Sequence, residues 1–296
     1  MKFRSPMLAA FAIFIGTVCI PTACHHSSQA KPDHPQLAAG VRVQDVAFHS
    51  SALRREMPYR AFLPANLTAG RRLPVAYLLH GGGGDFRDWS NDSDVAKYAL
   101  HGMILIMPEG NSSYYMNAVE AVQDKYEDYI TKDLVSDVEA RFPAEKGREN
   151  RAIIGVSMGG FAAVQYALTR PDLFVFAGAI SPAIDVPSRH FSWRHMDQWW
   201  RFREIFGSLG SSERQARDPF MVARAANPKL VPYIYLTAGE QEPLLGPNRR
   251  FVALLKQRTF AYEFHTKPGG HDWAEWDAQI PGCFTSLFAH LPAQAN

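Results

Sequence analysis

The residues with the clearest chemical signature are a serine and two flanking glycines, in the run Gly155-Val156-Ser157-Met158-Gly159. The run matches the pattern G-x-S-x-G, which presents a serine hydroxyl on a sharp turn between a strand and a helix. Glycines are needed two positions before and after the serine because larger side chains there would collide with neighbouring backbone. A free hydroxyl is a weak nucleophile, so the serine needs an open position and a base within reach.

The segments on either side of Ser157 fit such a turn. The β-branched residues of 151–156 predict a strand, and the alanine-rich residues 159–169 predict a helix that Pro171 ends. A helix that begins at the serine also brings free backbone N–H groups and a positive dipole end to it. This context predicts that Ser157 is a nucleophile.

Two further motifs flank the serine motif: LLHGGGG at 78–84, followed by Trp89, and GGHDW at 269–273, followed by Trp276. With these motifs, the chain resembles the esterase family of α/β-hydrolases that includes esterase D, S-formylglutathione hydrolase, feruloyl and acetyl-xylan esterases and the antigen 85 acyltransferases. The resemblance covers roughly residues 41–291. It implies an α/β-hydrolase fold and a catalytic triad in the chain order serine, acid, histidine.

His271 is the predicted general base. It is the one histidine of 11 that follows the last predicted strand in a Gly-Gly turn, which could bring its imidazole to the serine. The acid is expected in the loop after strand 231–238. Resemblance to the family segment with a carboxylate three residues after glycine favours Glu242, although many relatives have Asp there. Glu240, and more distantly Asp185, are the alternatives.

Two backbone N–H groups are expected to stabilise the oxyanion that forms when a serine attacks an ester. One belongs to Met158, directly after the nucleophile, and the resemblance implies that the other belongs to Gly82. The loop 110–117 resembles a family loop that lines the substrate pocket, which makes Tyr115 and Asn117 candidate substrate-binding residues.

The rest of the chain alternates between strand-like and helix-like segments. Recurrence of apolar residues every four positions from Tyr126 to Phe142 predicts an amphipathic helix. Further helices are expected at 159–169, 244–256 and 274–291, and strands at 41–49, 57–63, 73–79, 103–107, 151–156, 175–180, 231–238 and 262–267. This alternation predicts a mostly parallel sheet covered by helices, with the first two strands as an antiparallel edge.

One long insertion, residues 184–227, interrupts this alternation. It has no predicted strand and carries several aromatic residues, namely Phe191, Trp193, Trp199, Trp200, Phe202 and Phe206. An insertion of this kind is expected to be a helical lid over a site or a cover for the sheet.

The N-terminus has the layout of a secretory signal, with Lys2 and Arg4 before an apolar stretch at 7–20 that is short for a transmembrane helix. Cleavage after Ala30 competes with processing at Cys24, where Thr22-Ala23-Cys24 resembles the end of a lipobox and its cysteine becomes lipidated. The polar residues that follow favour Cys24. We therefore expect a signal peptide at 1–23, a tether at 24–40 and a hydrolase domain at 41–296, in a protein exported as a periplasmic, outer-membrane lipoprotein or secreted enzyme.

Composition excludes other classes of protein. Without Lys2 and Arg4 the charges balance at 29 of each sign, and no basic stripe indicates a nucleic-acid partner. Cys283 is the one cysteine of the predicted domain, so it is expected to be a packed apolar residue rather than half of a disulfide.

These expectations combine into a serine carboxylic ester hydrolase that uses an acyl-enzyme and needs no metal or organic cofactor. Its expected substrate is a carbohydrate, siderophore or other small ester. Two alternatives share the fold. The first is an acyltransferase of the antigen 85 type, in which a sugar hydroxyl replaces water. The second is a catalytically silent carbohydrate-binding module, which would be expected to lack a triad member, whereas all three are present.

Overall fold

The computed structural model describes residues 32–190 and 196–292. Eight strands of this part of the chain form one sheet, in the order β1-β2-β4-β3-β5-β6-β7-β8. Strand β2 runs antiparallel to both β1 and β4, and the other neighbours are parallel. The predicted mostly parallel sheet with an antiparallel edge is therefore confirmed. The strands are β1 Val41–Ser50, β2 Arg55–Pro64, β3 Val75–Leu79, β4 Ile104–Pro108, β5 Arg151–Val156, β6 Phe176–Ile180, β7 Tyr233–Gly239 and β8 Tyr262–Lys267.

Helices cover both faces of this sheet. The α-helices are α1 Asp88–Asp92, α2 Tyr126–Asp128, α3 Val135–Arg141, α4 Met158–Thr169, α5 Met196–Phe206, α6 Ser212–Gln215, α7 Pro219–Ala225, α8 Leu245–Gln257 and α9 Trp273–His290. A π-helical turn, Tyr129–Leu134, joins α2 to α3, so residues 126–141 are helical throughout. Short 3₁₀ helices occur at Val95–His101, Arg148–Asn150 and Val186–Ser188.

The central strands are buried along their whole length because helices pack on both faces. Every residue of β3, β4 and β6 is buried, which explains why their sequences are continuous apolar runs. Cys283 lies in one of the two large apolar clusters and is fully buried. Burial raises the pKa of its thiol, as expected for a packed apolar residue.

The parallel strands place their carboxyl ends at one edge of the sheet. In the register of the sheet, Leu79 pairs with Gly155, Val156 with Ile180, and Gly239 with Lys267. The loops after β3, β5, β6, β7 and β8 therefore start side by side, which is where ligand sites form in open α/β sheets.

The insertion is helical in its described part. Helices α5, α6 and α7 lie within it, while Phe191 and Trp193 lie outside the described residues. The buried guanidinium of Arg214 donates hydrogen bonds to the carbonyl oxygens of Pro187 (2.6 Å) and Gly207 (2.9 Å). Arg214 thus joins the 3₁₀ helix at Val186–Ser188 to the residue that follows α5.

The folded domain begins before the predicted boundary at residue 41. The buried guanidinium of Arg60 forms ion pairs with Asp33 and Asp45, each at 2.7 Å, and the backbone N–H of Gln36 donates to the carbonyl of Ser90. Residues 33–36, which belong to the predicted tether 24–40, therefore contact the hydrolase domain. The signal and Cys24 lie outside the described residues. Within the described part of the chain, no helix has the length and apolar character needed to cross a bilayer.

Candidate active site

Ser157 lies on a strained turn between β5 and α4. Its backbone has φ 52° and ψ −109°, a conformation that costs free energy for a residue with a side chain and that recurs at functional sites. Its N–H donates to the carbonyl of Ile180, and its own carbonyl accepts from Phe161 and Ala183. The surrounding backbone therefore holds the turn in place.

The two glycines of the motif are required by close backbone contacts. A Cβ atom on Gly155 would lie 2.1 Å from the carbonyl carbon of Gly159, and one on Gly159 would lie 2.3 Å from the carbonyl oxygen of Leu79. Both distances are far inside van der Waals contact. The sequence expectation for these positions agrees with the packing.

A hydrogen-bonded chain joins the serine to a histidine and a carboxylate. Nε2 of His271 lies 2.9 Å from Oγ of Ser157, and Nδ1 of His271 lies 2.8 Å from Oε2 of Glu242. A carboxylate can only accept, so Nδ1 carries the proton and Nε2 is free to accept from the serine hydroxyl. This geometry suits an imidazole that removes a proton from Ser157.

The structure distinguishes among the three candidate acids. The Glu242 side chain is fully buried beside His271. Glu240 is exposed and accepts from the hydroxyl of Thr266, and Asp185 forms an ion pair with Arg189. Only Glu242 of the three is joined to His271 among the described residues.

Two loops that touch each other carry His271 and Glu242. The N–H of Gln241 donates to the carbonyl of Gly269 at 3.0 Å, and a Cβ on Gly239 would lie 2.6 Å from that same oxygen. Asp272 then caps α9 by accepting from the N–H of Glu275. The helix cap and this close contact fix the backbone on both sides of the histidine.

The glycine-rich loop after β3 borders the serine. A Cβ on Gly81 would lie 3.6 Å from Cβ of Ser157. The N–H of Gly84 donates to the carbonyl of Gly81, and Gly83 has φ +76°, so the loop is a tight turn that requires glycine at that position. This places Gly82 at an exposed position on the loop next to the nucleophile. Met158 begins α4, where helical N–H groups have no partner within the helix.

His80 supports this loop from beneath. Its ring is fully buried, Nδ1 lies 2.7 Å from the carbonyl oxygen of Gly81, and Nε2 accepts from the N–H of Gly110 at 2.9 Å. The proton therefore lies on Nδ1 and points at the Gly81 carbonyl. His80 links the turn after β3 to the loop after β4.

The two predicted substrate-binding residues both make internal contacts. Tyr115 is fully buried, and its hydroxyl donates to the carbonyl of His80. Asn117 is half-buried, and its side-chain oxygen accepts from the N–H of Asp128 near the start of the helical segment. These bonds join the loop 110–117 to His80 after β3 and to α2.

The adjacent Tyr114 is the aromatic residue of this loop that is only half-buried. Its ring packs edge-to-face on Phe161, Phe202 and Phe206, with centroids 5.5–5.6 Å apart. Phe161 follows Ser157 by one helical turn, and Leu244 belongs to the same apolar cluster. The insertion is thereby packed against the region next to the serine.

Sequence reasoning missed Glu275 and the contact made by Trp276. The Trp276 ring meets the His271 ring edge-to-face at 5.1 Å. Glu275 is buried, and its carboxyl binds Gln279 and Ser181. The pattern Asp272-x-x-Glu275 is typical of a capping box, in which the glutamate reaches back to the helix start, so it gave no signal of an interior carboxyl. No group of three or more metal-binding side chains occurs within residues 32–190 and 196–292.

Comparison with known proteins places these features among esterases. Residues 50–287 match the sequence model of the family described as "Putative esterase". An acetyl esterase of Caldicellulosiruptor saccharolyticus is 24% identical over 265 residues, which cover 82% of this chain and 97% of that protein.

Two solved structures from Staphylococcus aureus are also similar. The fluorophosphonate-binding serine hydrolase FphF has a TM-score of 0.72 and 25% identity, covering 83% of this chain and 98% of that one. An S-formylglutathione hydrolase has a TM-score of 0.71 and 26% identity, with the same coverage. The strand order and these likenesses confirm the expected α/β-hydrolase fold.

Proposed function

The chain belongs to the esterase family and is a serine carboxylic ester hydrolase, and on that premise we propose that Ser157 forms an acyl-enzyme, with His271 as its base and Glu242 as the partner of His271. The observation that carries this proposal is the unbroken hydrogen-bonded chain from Oγ of Ser157 through both ring nitrogens of His271 to the buried Glu242 carboxylate.

The acylation step uses every part of this chain. Oγ of Ser157 attacks the ester carbonyl carbon while Nε2 of His271 takes its proton. The carbonyl oxygen becomes an anion that the N–H groups of Met158 and Gly82 stabilise. When the tetrahedral intermediate collapses, the C–O bond to the alcohol breaks and His271 returns the proton to the leaving oxygen.

Deacylation repeats the sequence with water. His271 removes a proton from a water molecule, whose oxygen attacks the acyl carbon, and the bond to Oγ of Ser157 then breaks as the proton returns to Oγ. The negative charge of Glu242 stabilises the imidazolium ion in both halves of the reaction. Glu242 carries no proton in this scheme.

The proposed substrate is a short acyl ester of a sugar or another small alcohol. The similarity to an acetyl esterase supports a small acyl group. We further propose that the protein meets this substrate outside the cytoplasm, because residues 1–30 have the layout of an export signal and Cys24 that of a lipidation site.

Turnover of p-nitrophenyl esters of increasing acyl length tests the catalytic proposal. Wild-type protein is expected to prefer the acetyl ester, and Ser157→Ala to lose about 10⁶-fold in kcat, as removal of the nucleophile does in subtilisin. Ser212→Ala, at an exposed serine of α6, is the matched control and should keep full activity. Absence of wild-type turnover together with failure of a fluorophosphonate to label Ser157 would refute the proposal.

A separate experiment tests export. The full chain, expressed in a Gram-negative host fed a labelled fatty acid, is expected to become labelled in the membrane fraction, and Cys24→Ala to lose the label. A mature N-terminus at Lys31 instead would show cleavage after Ala30, and an intact chain in the cytosol would contradict export.

A further inference from the structure

A second carboxyl group, that of Glu275, is buried beside the triad. Its residue is 4% exposed. Nε2 of Gln279 donates to Oε1 at 2.5 Å, and the hydroxyl of Ser181 lies 3.4 Å from Oε2. No cationic side chain of the described residues forms an ion pair with it. A buried carboxylate without a cation is costly, and a protonated acid avoids that cost.

The Glu275 side chain packs under the loop that carries His271. A Cβ on Gly269, two residues before the histidine, would lie 2.3 Å from Cγ of Glu275. The carbonyl of Gly269 in turn accepts from Gln241, next to Glu242. Glu275 therefore contacts the backbone that sets the distance between the two triad loops.

The charges around Glu275 oppose its ionisation. Glu242 lies in the loop after β7, and Asp272 is the N-cap of the helix that carries Glu275. Burial raises the pKa of Glu275, and the charges of Glu242 and Asp272 act in the same direction, while the hydrogen bonds from Gln279 and Ser181 act against it; the net shift is upward. Oε1 of Glu242 is buried without a hydrogen-bond partner among the described residues, so a second anion at Glu275 would face one that already lacks full compensation.

The hydrogen bonds fit a neutral acid. Oε1 accepts from Gln279, and in the 3.4 Å contact between Oε2 and the hydroxyl of Ser181 either oxygen can carry the proton. One acceptor and one donor are also what the amide of glutamine offers. Glutamine is therefore the conservative replacement here, and alanine removes both bonds and the packing against Gly269.

We propose that Glu275 is a positioning residue for the esterase reaction. As an uncharged acid, its side chain packs against the loop 268–272 and holds that loop in place, and Glu242 remains the carboxylate paired with His271. The proposal rests on the proposed function, because its effect on rate is exerted through that triad. Glu275 itself is not assigned any contact with substrate.

The test compares Glu275→Gln and Glu275→Ala with Glu145→Gln, an exposed glutamate remote from the site. Glu275→Gln is expected to keep kcat within about twofold and to leave the acid limb of the pH profile in place, because no charge is removed. Glu275→Ala is expected to lose about 10²-fold in kcat with little change in KM, the size of effect that a displacement of about 1 Å produces. The control should match wild type throughout.

Infrared spectroscopy reads the protonation state without substrate. Wild-type protein at pH 7 is expected to show the band of a protonated carboxylic acid, and Glu275→Gln to lack it, while Glu145→Gln retains it. Loss of a band that depends on Glu275 supports the proposal even if Glu275→Ala fails to fold.

Three results would overturn the proposal. One is the absence of that band from wild-type protein. Another is a shift of the acid limb in Glu275→Gln by about one pH unit to lower pH, as removal of a nearby negative charge would cause. The third is wild-type kcat in a folded Glu275→Ala. If wild type itself turns over no ester, the proposed function fails and the positioning role fails with it, while the infrared band still separately decides whether Glu275 is charged.

Discussion

Replacement of Glu242 by glutamine removes one charge from the candidate triad and little else. The side chain is fully buried, and its Oε2 lies 2.8 Å from Nδ1 of His271. Glutamine has nearly the same volume, and its amide oxygen can still accept from Nδ1–H. The variant therefore isolates the electrostatic role of the carboxylate.

The expected loss follows from the interaction between the carboxylate and the imidazolium ion that forms in the transition state. Two unit charges about 4 Å apart interact by about 4 kcal/mol at an effective dielectric constant of about 20. Since about 1.36 kcal/mol corresponds to a tenfold change in rate, the loss in kcat is about 10³-fold. Loss of the acid in a serine protease costs about 10⁴-fold, because the wrong tautomer is also admitted. We expect Glu242→Gln to fall between these two values.

Glu240→Gln is the matched control, since it removes the same charge from the same loop. Glu240 is exposed and its carboxylate accepts from Thr266, so solvent screens its effect on His271 and kcat should change by less than about twofold. The assay is kcat and KM for p-nitrophenyl acetate across pH 5–9, with thermal unfolding to show that both variants are folded. Equal losses in the two variants, or a loss below tenfold in Glu242→Gln, would refute the assignment of the acid.

Two further predictions concern the packing of the domain. Gly159→Ala should lose about 10²-fold in kcat and about 1–3 kcal/mol in the free energy of unfolding, because its Cβ would lie 2.3 Å from the carbonyl oxygen of Leu79. Gly246→Ala is the control, since its Cβ would meet nothing closer than 3.7 Å. It should leave the free energy of unfolding unchanged or raise it by about 0.5 kcal/mol. The hydrogen bond from Arg60 lowers the pKa of Asp33. The interaction between Asp33 and Arg60 therefore stabilises the folded protein fully above the unfolded pKa of about 3.9. This stabilisation is lost as pH falls through the lower pKa of the folded state. Asp33→Asn should therefore lower Tm at pH 7 by about 2–4 °C, for about 1 kcal/mol after solvent screening, and by progressively less as pH falls below the unfolded value; an equal drop at every pH in a series of calorimetric scans would contradict this.

Much of the fold was predictable because its signals are local. All eight strands were expected, several of them from apolar or β-branched runs, and Ser157 and His271 were expected from their glycine-rich turns. Glycine is informative there because the backbone leaves no space for a Cβ. The choice between Glu240 and Glu242 is not local in this sense, since both lie in one loop and only the path of the turn decides which carboxylate faces His271.

The helical segment 126–141 shows a spacing of apolar residues that the π-helical turn within it helps to explain. Its apolar residues recur every four positions, from Tyr126 to Phe142. In an α-helix with 3.6 residues per turn, such a stripe drifts by about 40° at each repeat. The π-helical turn at Tyr129–Leu134 takes up an extra residue and so brings the stripe back toward the sheet. The fourfold spacing is therefore compatible with the π-helical turn, although by itself it predicted only an amphipathic helix.

Side-chain direction is the part of the site that the sequence did not reveal, and Tyr115 and Glu275 show why. Positive φ at both Tyr114 and Tyr115 reverses the chain, so that Tyr115 points into the interior beneath His80 and Tyr114 keeps the partly exposed position. Glu275 has the spacing of a helix cap, yet the close approach of Gly269 leaves its carboxyl facing Gln279 and Ser181. In both cases a short pattern is compatible with two directions of the side chain, and residues distant in sequence select one. Short motifs therefore predict the residues of the triad better than they predict the residues that support it.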